Sequence, residues 1–135
     1  MLKEFEEVRN WGKMRGISNA DPQVQYQRVM QEIVEIHEAL VENDEEEFID
    51  AIGDSIVTLI NLAKTKGYLA EDCLQHAFDI IKFRKGINKN GSFVRYGKLS
   101  EAEKQWCDTH QGNINSEYFE EFLLDTLTPE HFIKS

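Results

Sequence analysis

The chain has 135 residues, of which 41% are hydrophobic, and its formal net charge is −10 at pH 7. A chain of this length can bury one hydrophobic core, and its acidic balance argues against direct nucleic-acid binding, which requires basic faces. Two cysteines supply no disulfide framework, and the longest apolar run, SIVTLINLA, has about half the length of a membrane-spanning helix. We therefore expect a cytoplasmic globular protein with no membrane partner.

Hydrophobic periodicity and end signals predict four helices in the first two thirds of the chain. Asp21 is expected to cap the second helix, with Pro22 at its first position. Asp44 is expected to cap the third, with Glu47 placed as in a capping box, and Gly86 to close the fourth. The predicted bounds are about residues 2–14, 22–42, 45–66 and 70–85.

The sequence pattern changes after the fourth predicted helix. Asn90-Gly91 is a strong signal for a two-residue hairpin turn, and it predicts a short hairpin-like segment near residues 87–96. A capping-box pattern at Ser100–Glu103 then predicts a further short helix, and a second one follows at about 116–126. The expected fold class is all-α, with four to six helices in total.

The last part of the chain is acidic, with eight acids against two bases between Leu99 and Ser135. This composition separates it from the preceding residues, which contain the stronger helix signals. We therefore divide the chain into a domain at 1–98 and an acidic helical extension at 99–135.

The second and third predicted helices carry acidic side chains beside apolar ones. Arg28, Glu32 and Glu35 form a ridge next to the apolar sector of the second helix. The third helix is apolar over most of its circumference, which is typical of a buried helix. One polar stripe nevertheless runs along it, formed by Glu47, Asp50, Asp54 and Asn61. Buried carboxylates are costly without a partner, so this stripe indicates a bound cation.

A short turn between these helices would place them in antiparallel contact, with Glu32 and Glu35 opposite Asp50 and Asp54. All-oxygen ligation of this kind suits Mg²⁺, or Mn²⁺ in its place. Two other interpretations stay open at this point. The acids can form a solvated face with an Arg28–Glu32 ion pair, and the role of Glu47 can be that of a helix cap.

A run without acids, from Ile80 to Ser100, contains six basic residues. Cations at the end of a helix complement its dipole, which explains some of them. Lys82, Arg84 and Lys85 are also candidates to bind a phosphate chain, because cations beside a metal ion are typical of polyphosphate sites.

Several segments between Val8 and Val94 follow a recognisable order. VRNWGKMRGI contains Trp-x3-Arg-Gly, QYQRVMQEIVEI falls on Gln-x2-Lys-x2-Glu-Glu-x2-Glu, and FDIIKFRKGINKNGSFVRY ends in Arg-Lys-Gly-x4-Gly-x-Phe-Val. Together with DAIGDSIVTLINLA, which is similar to a metal-binding helix, they resemble small phage and bacterial members of the MazG-like, all-α nucleotide pyrophosphohydrolase superfamily. The departures are Gln31 and Ala51 where the family usually has Glu, and Asp79 where Asn is common; Asp50 is the expected substitute for the acid missing at Ala51.

The resemblance implies an antiparallel helical bundle, completed as a homodimer or homotetramer, that hydrolyses nucleoside triphosphates to monophosphates and pyrophosphate. It implies Mg²⁺ ligation by Glu32, Glu35, Asp50 and Asp54. Glu35 or Glu47 would orient or deprotonate the attacking water. The substrate-binding residues that follow from it are Trp11, Arg28, Asn61, Asp79, Lys82, Arg84 and Lys85.

Two other classes of function stay open. Gln31 and Ala51 motivate a catalytically degenerate relative that binds a nucleotide or a protein, and a helical interaction module without a ligand is the third hypothesis. A P-loop enzyme is excluded, because the chain has no Gly-x4-Gly-Lys-Ser/Thr motif. A zinc site is disfavoured because one of its four candidate ligands lies on an apolar helix face; the four are Cys73, His76, Cys107 and His110.

Overall fold

A computed structural model of the chain describes residues 2–111. The predicted all-α class is confirmed at this level, because the described part is mostly helical with one small antiparallel sheet. The helix predicted at 116–126 lies outside the described residues. No helix in the described part is long and apolar enough to cross a membrane. The elements are α1 (Leu2–Met14), α2 (Pro22–Glu42), α3 (Glu45–Thr65), α4 (Ala70–Ile81), β1 (Gly86–Lys89), β2 (Ser92–Arg95) and α5 (Glu101–His110).

Helices α2 and α3 form a hairpin whose ends are set by capping residues. As predicted, the Asp21 side chain caps α2, accepting a hydrogen bond at 2.9 Å from the backbone two residues on, and Pro22 occupies the first position. Asn43 ends α2 in the left-handed conformation, at φ 55°, and the Asp44 side chain starts α3 by accepting from the Glu47 N–H at 3.0 Å. Because two residues connect them, the helices run antiparallel and pack against each other.

The described chain forms two compact units, which divide between Cys73 and Leu74. In the first unit, the packing between α2 and α3 buries small and medium apolar side chains. Larger ones on the same two helices stay accessible in the single chain, including Val41 and Ile49, which are 70% and 68% exposed. The third helix is therefore as apolar as predicted, and one chain leaves much of that surface uncovered. The buried apolar residues of the two helices are Val29, Ala39, Ala51 and Ile60.

Helix α1 packs against α3 within the first unit, and two of its residues make specific contacts. Gly12 permits close contact with α3, because a Cβ atom there would lie 2.5 Å from the Asn61 Oδ1 atom. The Arg9 guanidinium donates two hydrogen bonds to the Glu71 carboxylate, with the Nη2–Oε2 pair at 2.7 Å. Both of these side chains are largely buried, so the ion pair is shielded from solvent and is stronger than a surface pair.

In the second unit the predicted end of the fourth helix is wrong. Helix α4 ends at Ile81 rather than Lys85, and Gly86 begins strand β1 instead of capping a helix. The backbone N–H and C=O of Gly86 bond the Gln111 side chain at 2.9 and 2.8 Å, so they are not available to a helix end. A glycine is required at this position because a Cβ atom would lie 2.2 Å from the Val94 carbonyl oxygen.

The predicted hairpin is confirmed, with its turn at Asn90 and Gly91, where φ is 54° and 85°. The capping box at the start of α5 is also confirmed, since Ser100 and Glu103 exchange both hydrogen bonds. Lys89 ties the hairpin to α5 by bonding Glu103, and this bond lowers the pKa of Glu103 to about 2. The predicted domain boundary between residues 98 and 99 stays a prediction, although contacts of this kind join its two sides.

We expect Arg9→Met to lower the free energy of unfolding by about 3 kcal/mol, because it leaves the Glu71 carboxylate buried without its cation. Arg9 lowers the pKa of Glu71 in the folded state, chiefly through their hydrogen bond. The stabilisation is therefore present above the ordinary carboxyl pKa and is lost as the pH falls through the lowered value. Denaturant titrations at neutral and acidic pH measure this difference.

The matched control is Lys3→Met, which breaks an exposed ion pair with Glu7 on the same helix. It should cost no more than about 0.5 kcal/mol. Equal losses in the two variants would contradict a special role for the Arg9–Glu71 pair.

Candidate metal site

Three carboxylates of the α2–α3 hairpin converge, and we call them the carboxylate triad: Glu32 and Glu35 on α2, and Asp54 on α3. Each offers one oxygen, and the three oxygens lie within 4.8 Å of one another. Three carboxylate groups this close together could hold one divalent cation, since such ions take oxygen ligands from several carboxylates. Within residues 2–111, the triad is the group of potential metal ligands that meets this spacing. Neither cysteine belongs to such a group.

Glu32 is the buried member of the triad, with 7% of its surface exposed. Its Oε1 atom lies 3.5 Å from an Arg28 nitrogen, whereas Oε2 is buried with no hydrogen-bond partner among the described residues. Burial, the adjacent Glu35 carboxyl group and the charge of Asp54 raise the pKa of Glu32, and Arg28 opposes them. A buried carboxylate oxygen without a partner is costly, and a cation in the triad would supply that partner.

The other two acids predicted for the site, Asp50 and Glu47, lie outside the carboxylate triad. Both are exposed on α3, and Asp50 precedes Asp54 by four residues, or about 6 Å along the axis. The ligand role predicted for Asp50 therefore stays a prediction. Partial desolvation, followed by the charges of Glu35 and Asp50, raises the pKa of Glu47. This shift brings the Glu47 carboxylate closer to what a general base requires.

A cavity of about 260 Å³ adjoins the carboxylate triad, and we call it the triad cavity. Glu32 and Asp54 form part of its wall, together with three predicted substrate-binding residues, Trp11, Arg28 and Asn61. Acidic, basic, amide and aromatic groups thus surround one space, which suits a ligand with both charged and aromatic parts. The other residues of the wall are Ile17, Gln25, Val57 and Thr58.

Trp11 gives a physical meaning to the Trp-x3-Arg-Gly motif. Its ring is 46% exposed, so it is not a core residue. The Arg15 guanidinium lies 4.4 Å from the ring centroid and donates a hydrogen bond to the Trp11 backbone carbonyl at 3.1 Å. Gly16 follows in the left-handed conformation, at φ 76°. The motif therefore holds an accessible aromatic ring in the wall of the triad cavity.

The basic residues predicted to bind phosphate belong to the second unit. Lys82 donates a hydrogen bond to Asp79 at 2.9 Å, and the buried Lys85 donates one to Asp108 at 3.0 Å. Arg84, which lies between the two lysines in the sequence, is partly buried. Each lysine is therefore already engaged by a carboxylate, and the substrate-binding roles of all three, and of Asp79, stay predictions.

A cavity of about 590 Å³ belongs to the second unit. Trp106 and Ile87 contribute to its wall, and Glu103, its charged member, already pairs with Lys89. It thus lacks a group of titratable side chains, and the smaller triad cavity is the better candidate for chemistry.

Gln25 and Thr58 line the triad cavity, and neither was predicted as a site residue, although Gln25 stands at the Gln of the Gln-x2-Lys pattern. Both continue the polar ridges that contain the triad: Gln25 lies one turn before Arg28 on α2, and Thr58 lies one turn after Asp54 on α3. The spacing was therefore visible in the sequence. Because both side chains are uncharged, they lack the electrostatic signal that singles out the surrounding acids.

Comparison of the chain with protein-family models, with curated proteins and with solved structures finds no match. No relative therefore supplies a reaction or a ligand for this site. Function is inferred from the carboxylate triad, the adjoining cavity and the sequence motifs.

We expect Glu32→Gln to stabilise the metal-free protein by about 1 kcal/mol, because it removes charge repulsion within the carboxylate triad. Mg²⁺ at a hundred times its dissociation constant should stabilise the wild type by about 2.7 kcal/mol and the variant much less. Thermal unfolding with and without Mg²⁺ measures both effects. Glu38→Gln, at an exposed position of the same helix, is the control and should respond as the wild type does. A full Mg²⁺ response in Glu32→Gln would place the ion elsewhere.

Proposed function

We propose that this protein is a MazG-like pyrophosphohydrolase, which hydrolyses nucleoside triphosphates to nucleoside monophosphates and pyrophosphate with Mg²⁺. The observation that carries the proposal is the buried, unpartnered Glu32 Oε2 atom within the carboxylate triad. A fold keeps such an atom at a cost to stability, and a function that requires a cation explains why. The ordered motifs of the sequence provide the second line of support.

The residues of the carboxylate triad fit a magnesium ion, since all three offer oxygen ligands and can be negatively charged. When bound, the ion would supply charge neutralisation for phosphate oxygens and a lower pKa for a coordinated water. Glu32, Glu35 and Asp54 would hold it, with Arg28 keeping Glu32 in place. Mn²⁺ is expected to substitute, because it accepts the same ligands.

Glu47 is the better candidate to accept a proton from the attacking water. Its pKa is raised, and it is not one of the three ligands, whereas Glu35 would have its charge shared with the ion. In the proposed reaction, the water oxygen forms a bond to the α-phosphorus and its proton passes to Glu47. The bond from the α-phosphorus to the bridging oxygen breaks, and pyrophosphate leaves with both electrons of that bond.

The substrate would lie in the triad cavity with its base against Trp11. Base–aromatic stacking contributes about 1 to 3 kcal/mol in comparable sites. Arg28 lines the same cavity and brings a positive charge close to the phosphate chain. This arrangement places the anionic part of a nucleotide beside the ion and its aromatic part beside the exposed ring.

The uncovered apolar surface of α2 and α3 supports assembly of the bundle with a second copy of the chain. Leu40, Val41 and Ile49 are each more than 60% exposed near the connection of the two helices. Contiguous apolar surface of this kind is unusual on a monomer and is typical of an interface between subunits. A homodimer, or a homotetramer built from two dimers, would cover it.

A catalytically degenerate nucleotide-binding protein is the second candidate. The observation that favours it is the position of Asp50 outside the carboxylate triad, together with Gln31 at a position where the family has an acid. Gln31 is exposed and accepts a hydrogen bond from Arg28 at 2.8 Å. Such a protein would bind Mg²⁺ and a nucleotide without turnover.

The test is incubation of the purified protein with each ribonucleotide and deoxyribonucleotide triphosphate, with and without Mg²⁺. We expect monophosphate and pyrophosphate in the presence of Mg²⁺, and a loss of at least about a hundredfold in kcat/KM for Asp54→Asn, because one ligand of the ion is removed. Glu38→Gln should retain full activity. Nucleotide binding without product would favour the degenerate relative, and absence of both would exclude the proposed function.

The proposed assembly is tested by sedimentation equilibrium of the wild type and of Ile49→Glu. A charge buried within the apolar surface should raise the dissociation constant of the dimer about thirtyfold or more. Met14→Glu is the control, since Met14 is 83% exposed on α1, and it should stay dimeric. A monomeric wild type at micromolar concentration would contradict the assembly.

A further inference from the structure

Two amide side chains, Gln25 and Asn61, are buried in the wall of the triad cavity, with 9% and 4% of their surfaces exposed. Within residues 2–111, neither side-chain amide makes a hydrogen bond. The third polar uncharged residue of the wall, Thr58, differs, because its hydroxyl donates to the Ser55 carbonyl at 2.9 Å. Each amide carries two donors and an acceptor, and none of these atoms is among the fully buried polar atoms without a partner within residues 2–111, so they stay accessible. The two amides therefore have hydrogen-bonding capacity available for a ligand.

The Asn61 amide is confined by the packing of α1 on α3. Its Oδ1 atom lies so close to Gly12 that a Cβ atom there would be 2.5 Å away. Glycine is the residue that lets the two helices approach while leaving room for this amide. Asn61 is therefore held in a defined position before any ligand arrives, which is the arrangement that gives specificity at low entropic cost.

We propose that Gln25 and Asn61 bind the edge of the substrate's base and determine which nucleotides the site accepts, an inference that rests on the proposed function. The edge of a nucleobase presents adjacent donors and acceptors, and amide side chains match them in pairs. Trp11 adds a stacking surface in the same cavity. The substrates are nucleotides with an accessible base edge, and polyphosphates or sugar phosphates without a base are poor ligands.

The size of the triad cavity agrees with a site for the base. Its volume of about 260 Å³ is below the range of about 300 to 1,000 Å³ that is typical for pockets enclosing a whole ligand. The base fills this space while the phosphate chain extends over the carboxylate triad. Since Glu32 and Asp54 belong to both the cavity wall and the triad, the two parts of the nucleotide meet at these residues.

The experiment measures Mg²⁺-dependent binding of α,β-methylene analogues of ATP, GTP, CTP and UTP by calorimetry, beside methylene triphosphate as a ligand without a base. Asn61→Asp exchanges a donor for an acceptor at constant size, and Gln25→Met removes hydrogen bonding at similar size. In each variant we expect the ratio of dissociation constants between the preferred and the poorest base to change about tenfold to a hundredfold. Affinity for methylene triphosphate should not change.

Two further variants separate base recognition from general damage to the fold. Gln27→Met, at an exposed position of α2, is the control and should keep the ratio of the wild type. Gly12→Ala removes no polar group but displaces the Asn61 amide, so it should change the ratio as Asn61→Asp does. The ratio compares ligands within one preparation, and it is therefore independent of the fraction of folded protein.

Unchanged ratios in both Asn61→Asp and Gln25→Met would overturn the inference. It would also fail if wild-type protein bound the nucleotide analogues no more tightly than methylene triphosphate, or bound none of them; hydrolysis of triphosphates by the same preparation would then leave the proposed function standing. Conversely, selective binding that the variants alter, in a wild type that hydrolyses no triphosphate, would support base recognition and exclude the hydrolase.

Discussion

The two-residue connection between α2 and α3 is the constraint on which the site depends. Asn43 and Asp44 end one helix and start the next, so the register between the two helices is fixed within a turn. Glu32 and Asp54 lie the same number of residues before and after Asn43, which places them at the same height of an antiparallel pair. Like charges are thus held together by backbone geometry, against their mutual repulsion.

The same hairpin meets two opposite requirements. Its polar ridges converge on the carboxylate triad, where like charges repel each other, and its apolar residues extend over a surface that one chain does not cover. The helical period places polar side chains on one face of each helix and apolar side chains on another, so the two helices together form both surfaces. Under the proposed function, the ion and the second subunit would each stabilise one face of the hairpin, so binding and assembly would share one structural element.

Local signals in the sequence predicted most of the described fold, because caps and turns are decided by neighbouring residues. The caps at Asp21, Asp44 and Ser100 and the turn at Asn90-Gly91 belong to this class. The end of α4 was not predictable in the same way, because Gly86 pairs with a strand and with Gln111, which is distant in sequence.

The convergence of three carboxylates was predictable because helical spacing alone decides their position. Glu32, Glu35 and Asp54 meet because they lie on facing ridges, and the same spacing did not distinguish Asp50, which lies one turn away. The lysines show that charge in the sequence does not reveal which carboxylates a side chain contacts in the fold. Lys85 looked like a free cation in the sequence, but an acid from α5 bonds it and the chain buries it. The Arg9–Glu71 pair likewise joins positions that no local pattern connects.

Helix α1 packs against α3 at Gly12 and is tied to the start of α4 through Arg9, and it carries Trp11. The carboxylates, by contrast, belong wholly to the hairpin. Under the proposed function, the stacking surface of Trp11 and the carboxylate triad would therefore belong to separate pieces of the polypeptide, whereas the amides of Gln25 and Asn61 belong to the hairpin itself. Substitutions on the N-terminal helix would then alter the surface on which a base stacks and leave the carboxylates and the two amides in place.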